Sequence, residues 1–163
     1  FSDGDCVVRP DFVYQHAALA EQGWLVAGNR LLLSKRLTQR VIEQRLNIHH
    51  WSFWQWMGAR LRNDCNRLLP LLSLPIGPLR KRAPNQWQGA KTCNLAMWRA
   101  DFLRVNGFDE SFEGWGFEDS DCVIRLLRAQ IFHKSGRGCV PVLHLWHPEA
   151  ARDSVEQNAK RLE

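Results

Sequence analysis

Apolar and polar positions along this chain fall into runs of two periods, and the runs alternate. Residues 1–8, FSDGDCVV, are apolar at both ends of an acidic centre, the pattern of a buried strand that stops at an acidic turn. Pro10 and Asp11 open a predicted helix that runs to Ala20, because proline suits a first helical turn and an acid there complements the helix dipole. The apolar run 24–27, punctuated by Gly23 and Gly28, predicts a short strand. Trp51, Trp54, Met57, Leu61, Cys65 and Leu68 then recur at three- and four-residue spacing and predict a helical apolar stripe. Pro70, Pro75, Gly77 and Pro78 break any helix beyond it. From Lys91 the pattern predicts a strand over 92–98, a short helix over 100–105 ended by Asn106-Gly107, and an acidic aromatic loop over 108–117. A helix over 118–129, a strand over 140–145 and a polar helix over 148–162 complete the chain. Strands alternating with helices indicate an α/β fold.

Composition adds limits. A chain of 163 residues suits one domain with a sizeable core, and 24% charged residues is too ordinary a share for a disordered chain. Eight tryptophans favour interfaces, membrane surfaces and sugar-stacking sites as well as cores, since indole buries a large area and keeps a polar N–H. The five cysteines, Cys6, Cys65, Cys93, Cys122 and Cys139, form no CxxC pair, so neither a zinc knuckle nor a disulfide framework is indicated. A reduced, cytoplasmic chain is the simplest expectation. No apolar run approaches the ~20 residues of a spanning helix, and no signal-peptide pattern opens the sequence. The abrupt start predicts that a preceding portion of the fold is missing.

Charge is uneven. Residues 35–82 hold ten Lys or Arg against Glu43 and Asp64, a net +8, whereas the remainder sums to −3. Interleaved with aromatics, such a segment is either a solvated face, a nucleic-acid surface or an interfacial contact with an anionic membrane. Charge alone does not choose among them.

Three short patterns carry candidate chemistry. Asp3-Gly4-Asp5 spaces two acids by one residue, enough to share a divalent cation, although a surface turn has the same composition. Glu118-Asp119-Ser120-Asp121 opens a helix, where acids are favoured by the dipole, and Asp121 is placed to meet Arg125 at i+4. The preceding Trp115-Gly116-Phe117 forms an apolar shelf that would desolvate one carboxylate and suit it to act as a base. His144 and His147 end a strand, and neutral imidazole is a common metal ligand.

In order along the chain, the DxD pair, the run NLAMWRADFLRVNGFDESFEGWGFEDSDCVIRL and HLWH resemble family 2 glycosyltransferases of the GT-A fold. The likeness is to the C-terminal half shared with β-1,4-galactosyltransferases and chondroitin-polymerase-type enzymes. It covers most of residues 1–34 and 90–150, and residues 35–85 then read as a helical, basic insertion within one partial domain spanning 1–163. The resemblance implies a Rossmann-like mixed sheet whose nucleotide-binding N-terminal part is absent. It implies that Asp5, Asp3 and His144 hold Mn2+ or Mg2+, with His147 as a substitute for His144, and that Asp3 also faces the donor. Asp119 would be the catalytic base, Glu118 an acceptor ligand and Trp115 a sugar platform. Gln130 stands where such relatives commonly have glycine at the helix end.

The reading that results is an inverting, metal-dependent glycosyltransferase. It would take a nucleotide-sugar, with UDP-sugars the first choice, to a glycan or lipid-linked acceptor in bacterial envelope polysaccharide synthesis such as lipopolysaccharide. Residues 35–82 would rest on the cytoplasmic face of the membrane, and nucleic acid is the disfavoured partner. The rival from another class is a non-catalytic glycan- or protein-binding α/β module.

Overall fold

The computed structural model describes residues 1–149 and 152–162. Its apolar runs become the centres of two three-stranded mixed sheets. In one, β1 (Cys6–Val8) lies antiparallel to β6 (Pro141–His144), which pairs in parallel with β3 (Asn29–Leu32). In the other, β2 (Trp24–Ala27) lies between β4 (Leu95–Ala96), antiparallel, and β5 (Phe132–Ser135), parallel. All four residues of β6 are buried, which is why this central strand reads as a continuous apolar run rather than an alternating one. The α/β expectation holds.

Helices α1 (Phe12–Leu19), α4 (Arg99–Arg104) and α5 (Glu118–Arg128) fall within two residues of their predicted bounds. Asn106 and Gly107 both take positive φ after α4, as a helix stop requires. Gln130 also has a positive φ, 66°, so the position does ask for the left-handed backbone that glycine adopts most readily. Helix α6 is confined to Val155–Lys160, and residues 150 and 151 of the predicted 148–162 helix lie outside the described residues.

Three expectations change. The predicted strand over residues 1–8 is two pieces. Phe1 exchanges backbone hydrogen bonds with Leu95, and β1 begins only at Cys6, so Asp3 and Asp5 occupy the turn between them. The predicted strand over 92–98 is a 3-10 turn, Thr92–Asn94, followed by the two residues of β4. Strands β3 and β5, NRLL and FHKS, had no sequence signal because they are short and half polar; parallel partners define them.

The basic segment contains α2 (Lys35–Gln44) and α3 (Phe53–Leu61). Ser34 caps the first by accepting from Leu37 N, and Ser52 with Gln55 forms a reciprocal capping box on the second. From Asn66 to Arg82 the chain makes only short 3-10 turns. The predicted stripe is out of phase. Trp56 and Ala59 are the core residues of α3, whereas Trp54 is 73% exposed and Leu61 81% exposed. The capping box starts the helix after Trp51, and apolar residues at 53, 54 and 56 offer two faces to the same periodicity. The face with small Ala59 permits close approach, and Trp56 packs with Leu31, Leu33, Leu37, Ile48 and Leu143. Trp51 joins from outside the helix, its ring centroid 5.0 Å from that of Trp56.

Two polar knots fix this arrangement. Asp64 is fully buried and receives Arg36 at 2.9 Å, Arg62 at 3.3 Å and the Ser34 hydroxyl at 3.2 Å. Burial would raise its pKa, but the two guanidiniums outweigh that and hold the carboxyl below the usual range. Asn94, also buried, donates its amide to Asn29 O at 2.9 Å and Val140 O at 2.6 Å, and its Oδ1 pairs with His16 Nε2 at 3.0 Å. Gly28 must be glycine here, since a Cβ would fall 2.2 Å from the Asn94 amide.

The phase of α3 sets a clear expectation. Trp56→Ala should cost about 3–5 kcal/mol in urea unfolding, the range for truncating a core aromatic. Trp54→Ala should stay within about 0.5 kcal/mol of wild type, and a larger loss at Trp54 than at Trp56 would show the helix to face the other way.

Candidate functional site

The antiparallel register of β1 and β6 builds the first half of the site. Cys6 lies opposite His144, and Leu145 N donates to Asp5 O at 2.9 Å, so the turn acids meet the end of β6. His147 Nε2 lies 3.1 Å and His144 Nε2 3.7 Å from Asp5 Oδ2. The other ring nitrogens, both Nδ1, face the carbonyls of Leu145 at 3.0 Å and Pro148 at 2.8 Å. A carbonyl only accepts, so each Nδ1 carries its hydrogen and a neutral ring turns its Nε2 lone pair toward the carboxylate. Two lone pairs aimed at one anion call for a cation between them, either a proton or a metal ion. The carbonyl-held imidazole is the arrangement that orients metal ligands.

Ligand atoms of Asp5, Cys6 and His144 lie within 4.8 Å of one another. Without a metal, the contact with the Cys93 thiol, then burial and the nearby acids, push the Cys6 thiol far above its ordinary pKa. The carboxylate suits Mn2+ and Mg2+ alike, whereas the imidazole favours Mn2+, because Mg2+ takes oxygen ligands. Asp5 and His144 therefore fit the divalent cation that the sequence suggested, and His147 approaches Asp5 without belonging to the cluster. Asp3 does not join the cluster. It stands at the rim, its pKa raised by burial and by Asp5 and drawn back by His144 and Arg30.

A cavity of about 400 Å³ opens beside this cluster, lined by Asp3, Arg30, Trp115, His144, Trp146 and Arg152, among others. Trp115 is 49% exposed, and the Arg152 guanidinium lies 5.4 Å from its ring centroid. The loop that delivers Trp115 is tightly wound, with positive φ at Gly114, Gly116 and Phe117. Glu118 turns back to accept from Gly116 N at 3.1 Å, and Asn158 on α6, 2% exposed, donates to Glu113 O and Gly116 O.

The acids of α5 separate by environment. Asp121 pairs with Arg125 at 2.7 Å, and Arg125 also donates to the carbonyls of Val105 and Gly107, fastening α5 to the end of α4. Asp119 is 5% exposed, accepts from the Ser120 hydroxyl at 3.2 Å and faces Lys91 Nζ at 3.5 Å. Its charge is felt at Asp3, as the last of the influences there, which links α5 to the DxD turn. The charged group that faces Asp119 is the Lys91 ammonium, a partner that spacing did not indicate. Lys91, Arg30, Arg152 and Asn158 were not singled out from sequence. Lys91 had a weak signal as a charge just before a strand, and Asn158 had one as an amide inside a helix.

Comparisons with known proteins give a family match over part of this region and a short match to curated enzymes. Residues 80–137 match the family described as the N-terminal domain of galactosyltransferase. That span holds Lys91, Asn94 and the whole of α5, and stops short of β6. A stretch of 40 residues is 50% identical to the validoxylamine A glucosyltransferase of Streptomyces hygroscopicus subsp. jinggangensis (strain 5008), covering 24% of this chain and 10% of that protein. The protein of the same name from Streptomyces hygroscopicus subsp. limoneus matches equally, over 9% of its length. The match thus spans about a tenth of the length of these curated relatives. These likenesses support a glycosyltransferase-type domain.

The amide of Asn158 is the buried tie between α6 and the Trp115 loop, beside the exposed contact of Arg161 with Ser111 O. Asn158→Ala should destabilise the protein by about 1–3 kcal/mol and speed proteolysis within 108–117 several-fold. Unchanged cleavage there would mean that the loop holds its shape by itself.

Proposed function

We propose that the chain forms part of an inverting, metal-dependent glycosyltransferase of the GT-A type, related to family 2. The observation that carries this reading is the pairing of Asp5 with His144 and His147, two histidines that line one cavity with Trp115, together with the buried carboxylate of Asp119 at the head of α5. Asp5, His144 and His147 would hold the divalent cation, which when bound neutralises charge growing on a departing nucleoside diphosphate. Trp115 offers a flat apolar face to a sugar ring. Asp119 would take the proton of the acceptor hydroxyl as it attacks the anomeric carbon, and Lys91 fixes the direction of that carboxylate. Glu118, held by Gly116 N, would orient an acceptor hydroxyl with its second oxygen. A single base and direct attack from the face opposite the leaving group invert the anomeric centre.

The donor in this reading is a nucleotide-sugar, and the setting is cytoplasmic synthesis of a bacterial envelope polysaccharide. A non-catalytic binding module remains the contrasting class. The full protein should transfer from a UDP- or GDP-sugar in the presence of manganese. Asp119→Asn should lower kcat by about 10²–10⁴ while leaving donor affinity within about twofold. Absence of turnover with every donor, or a wild-type rate for the variant, would sink the enzyme reading.

Contact with the membrane is the second element. No helix of the described residues is long and apolar enough to cross a bilayer. Phe53, Trp54 and Leu61 stand exposed on α3 beside exposed Arg60, and Ile42 is exposed on α2 before Arg45. This combination suits the interface of an anionic leaflet. In flotation at low salt the protein should rise with phosphatidylglycerol vesicles, and Trp54→Ser/Leu61→Ser should stay behind. Equal flotation of wild type and variant would refute the assignment to this face.

A further inference from the structure

A second and larger cavity, about 470 Å³, lies where the parallel strands β2 and β5 end, the side of an open sheet on which ligands generally bind. Its walls come from the β2–β3 connection and from residues 67–70 and 79–93 and 133–137. Six of the lining residues are Arg or Lys, and none is Asp or Glu. Two of the six are held by several carbonyls or by a carboxylate of the protein. The buried Arg80 guanidinium donates to Ser135 O, Arg137 O and Leu74 O, and Lys91 faces Asp119. The other four, Arg30, Arg67, Arg82 and Arg137, make no ion pair among the described residues. Arg67 does no more than donate to Arg30 O, and Arg30 reaches the Cys93 sulfur at 4.0 Å.

Four guanidiniums around one concavity repel one another and no carboxylate lines it, although Arg30 interacts with Asp3 of the neighbouring cavity. Carboxylates are not scarce elsewhere: Asp64 takes two arginines and Glu21 two lysines. The concavity therefore offers an excess of positive charge to an anion from outside the chain. Guanidinium forks match phosphate oxygens two at a time, and a cavity of this size holds a sugar phosphate or a diphosphate.

We propose that this basic cavity binds a phosphate or diphosphate group of the acceptor. Resting on the glycosyltransferase reading, the assignment to acceptor follows from position. The donor's diphosphate belongs with the Asp5–histidine cluster in the other cavity. Arg30 lines both cavities, and Lys91 reaches from the basic one to Asp119, the proposed base. An anionic group seated among Arg67, Arg82 and Arg137 would bring its attached sugar toward that carboxylate. Anion binding itself needs neither the metal nor turnover.

Calorimetry of the full protein with inorganic pyrophosphate, in EDTA to exclude metal bridging, is the direct test. Wild type should bind, with affinity falling as salt rises. Arg82→Ser/Arg137→Ser should bind about tenfold more weakly or worse, as should Arg67→Ser/Arg82→Ser. Thermal unfolding should be unchanged in both, because all three side chains are exposed and support no buried group. No binding by wild type, or wild-type affinity in both double variants, would overturn the proposal. Detergent-solubilised polyprenyl diphosphate and glucose 1-phosphate separate the sources: tighter binding of the first assigns a lipid-linked acceptor, tighter binding of the second a soluble one. Pyrophosphate binding without Asp119-dependent turnover would remove the transferase and keep the anion site, whereas turnover without pyrophosphate binding would do the reverse.

Discussion

The side chain of Asn94 is the constraint on which the two sheets depend. Its amide nitrogen satisfies one carbonyl at the start of β3 and another just before β6, its oxygen meets His16 on α1, and its own carbonyl accepts from Gly28 N. Buried acceptors left without donors cost about 1–3 kcal/mol each, so no apolar residue of similar size can replace it cheaply. Gly28 is the counterpart, since the chain passes from β2 to β3 so close to the amide that a side chain has no room. Because β4 follows Asn94 directly and β6 leads to His144, this one contact sets the sheet that carries α5 against the sheet that carries the acid–histidine cluster.

From that clasp the site follows. Asp5 and the histidines are some 140 residues apart in sequence and meet because β1 and β6 pair antiparallel in a register that sets Cys6 opposite His144. Asp119 arrives separately, on a helix locked to its loop by Arg125 and Glu118. Trp115 is held by neither sheet but by a loop of three left-handed residues that Asn158 fastens to α6. The histidines beside Asp5 and the Trp115 loop thus border one cavity, and Asp119 stands apart from its lining, joined through Lys91 to the neighbouring one.

The basic segment resolves into different uses of the same charge. Arg36 and Arg62 compensate the buried Asp64 and stitch α2 to the end of α3. Arg80 serves as an internal donor to three carbonyls. Arg67 and Arg82 are left over for the cavity, and Arg60 for the exposed face of α3. A count of charges, +8 over residues 35–82, could not separate these roles, because the roles differ in partner and not in residue type.

Local sequence determined the helices whose ends carry chemical signals: Pro10-Asp11 before α1, Asn106-Gly107 after α4, and the acids opening α5. It also determined the strand β2, the pairing of Asp121 with Arg125, and the α/β class. These depend on neighbours within about four residues, where spacing is geometry. Tertiary structure decided what spacing cannot. It made strands of NRLL and FHKS by giving them parallel partners. It split FSDGDCVV at its acids, and chose Trp56 over Trp54 for the core. It set His147 beside Asp5 no less closely than His144, placed Lys91 on Asp119, and gathered four arginines from distant turns around one cavity. In each case the deciding energy is a long-range contact, a ladder bond, a packed ring or an ion pair, and its partner lies where no local pattern points.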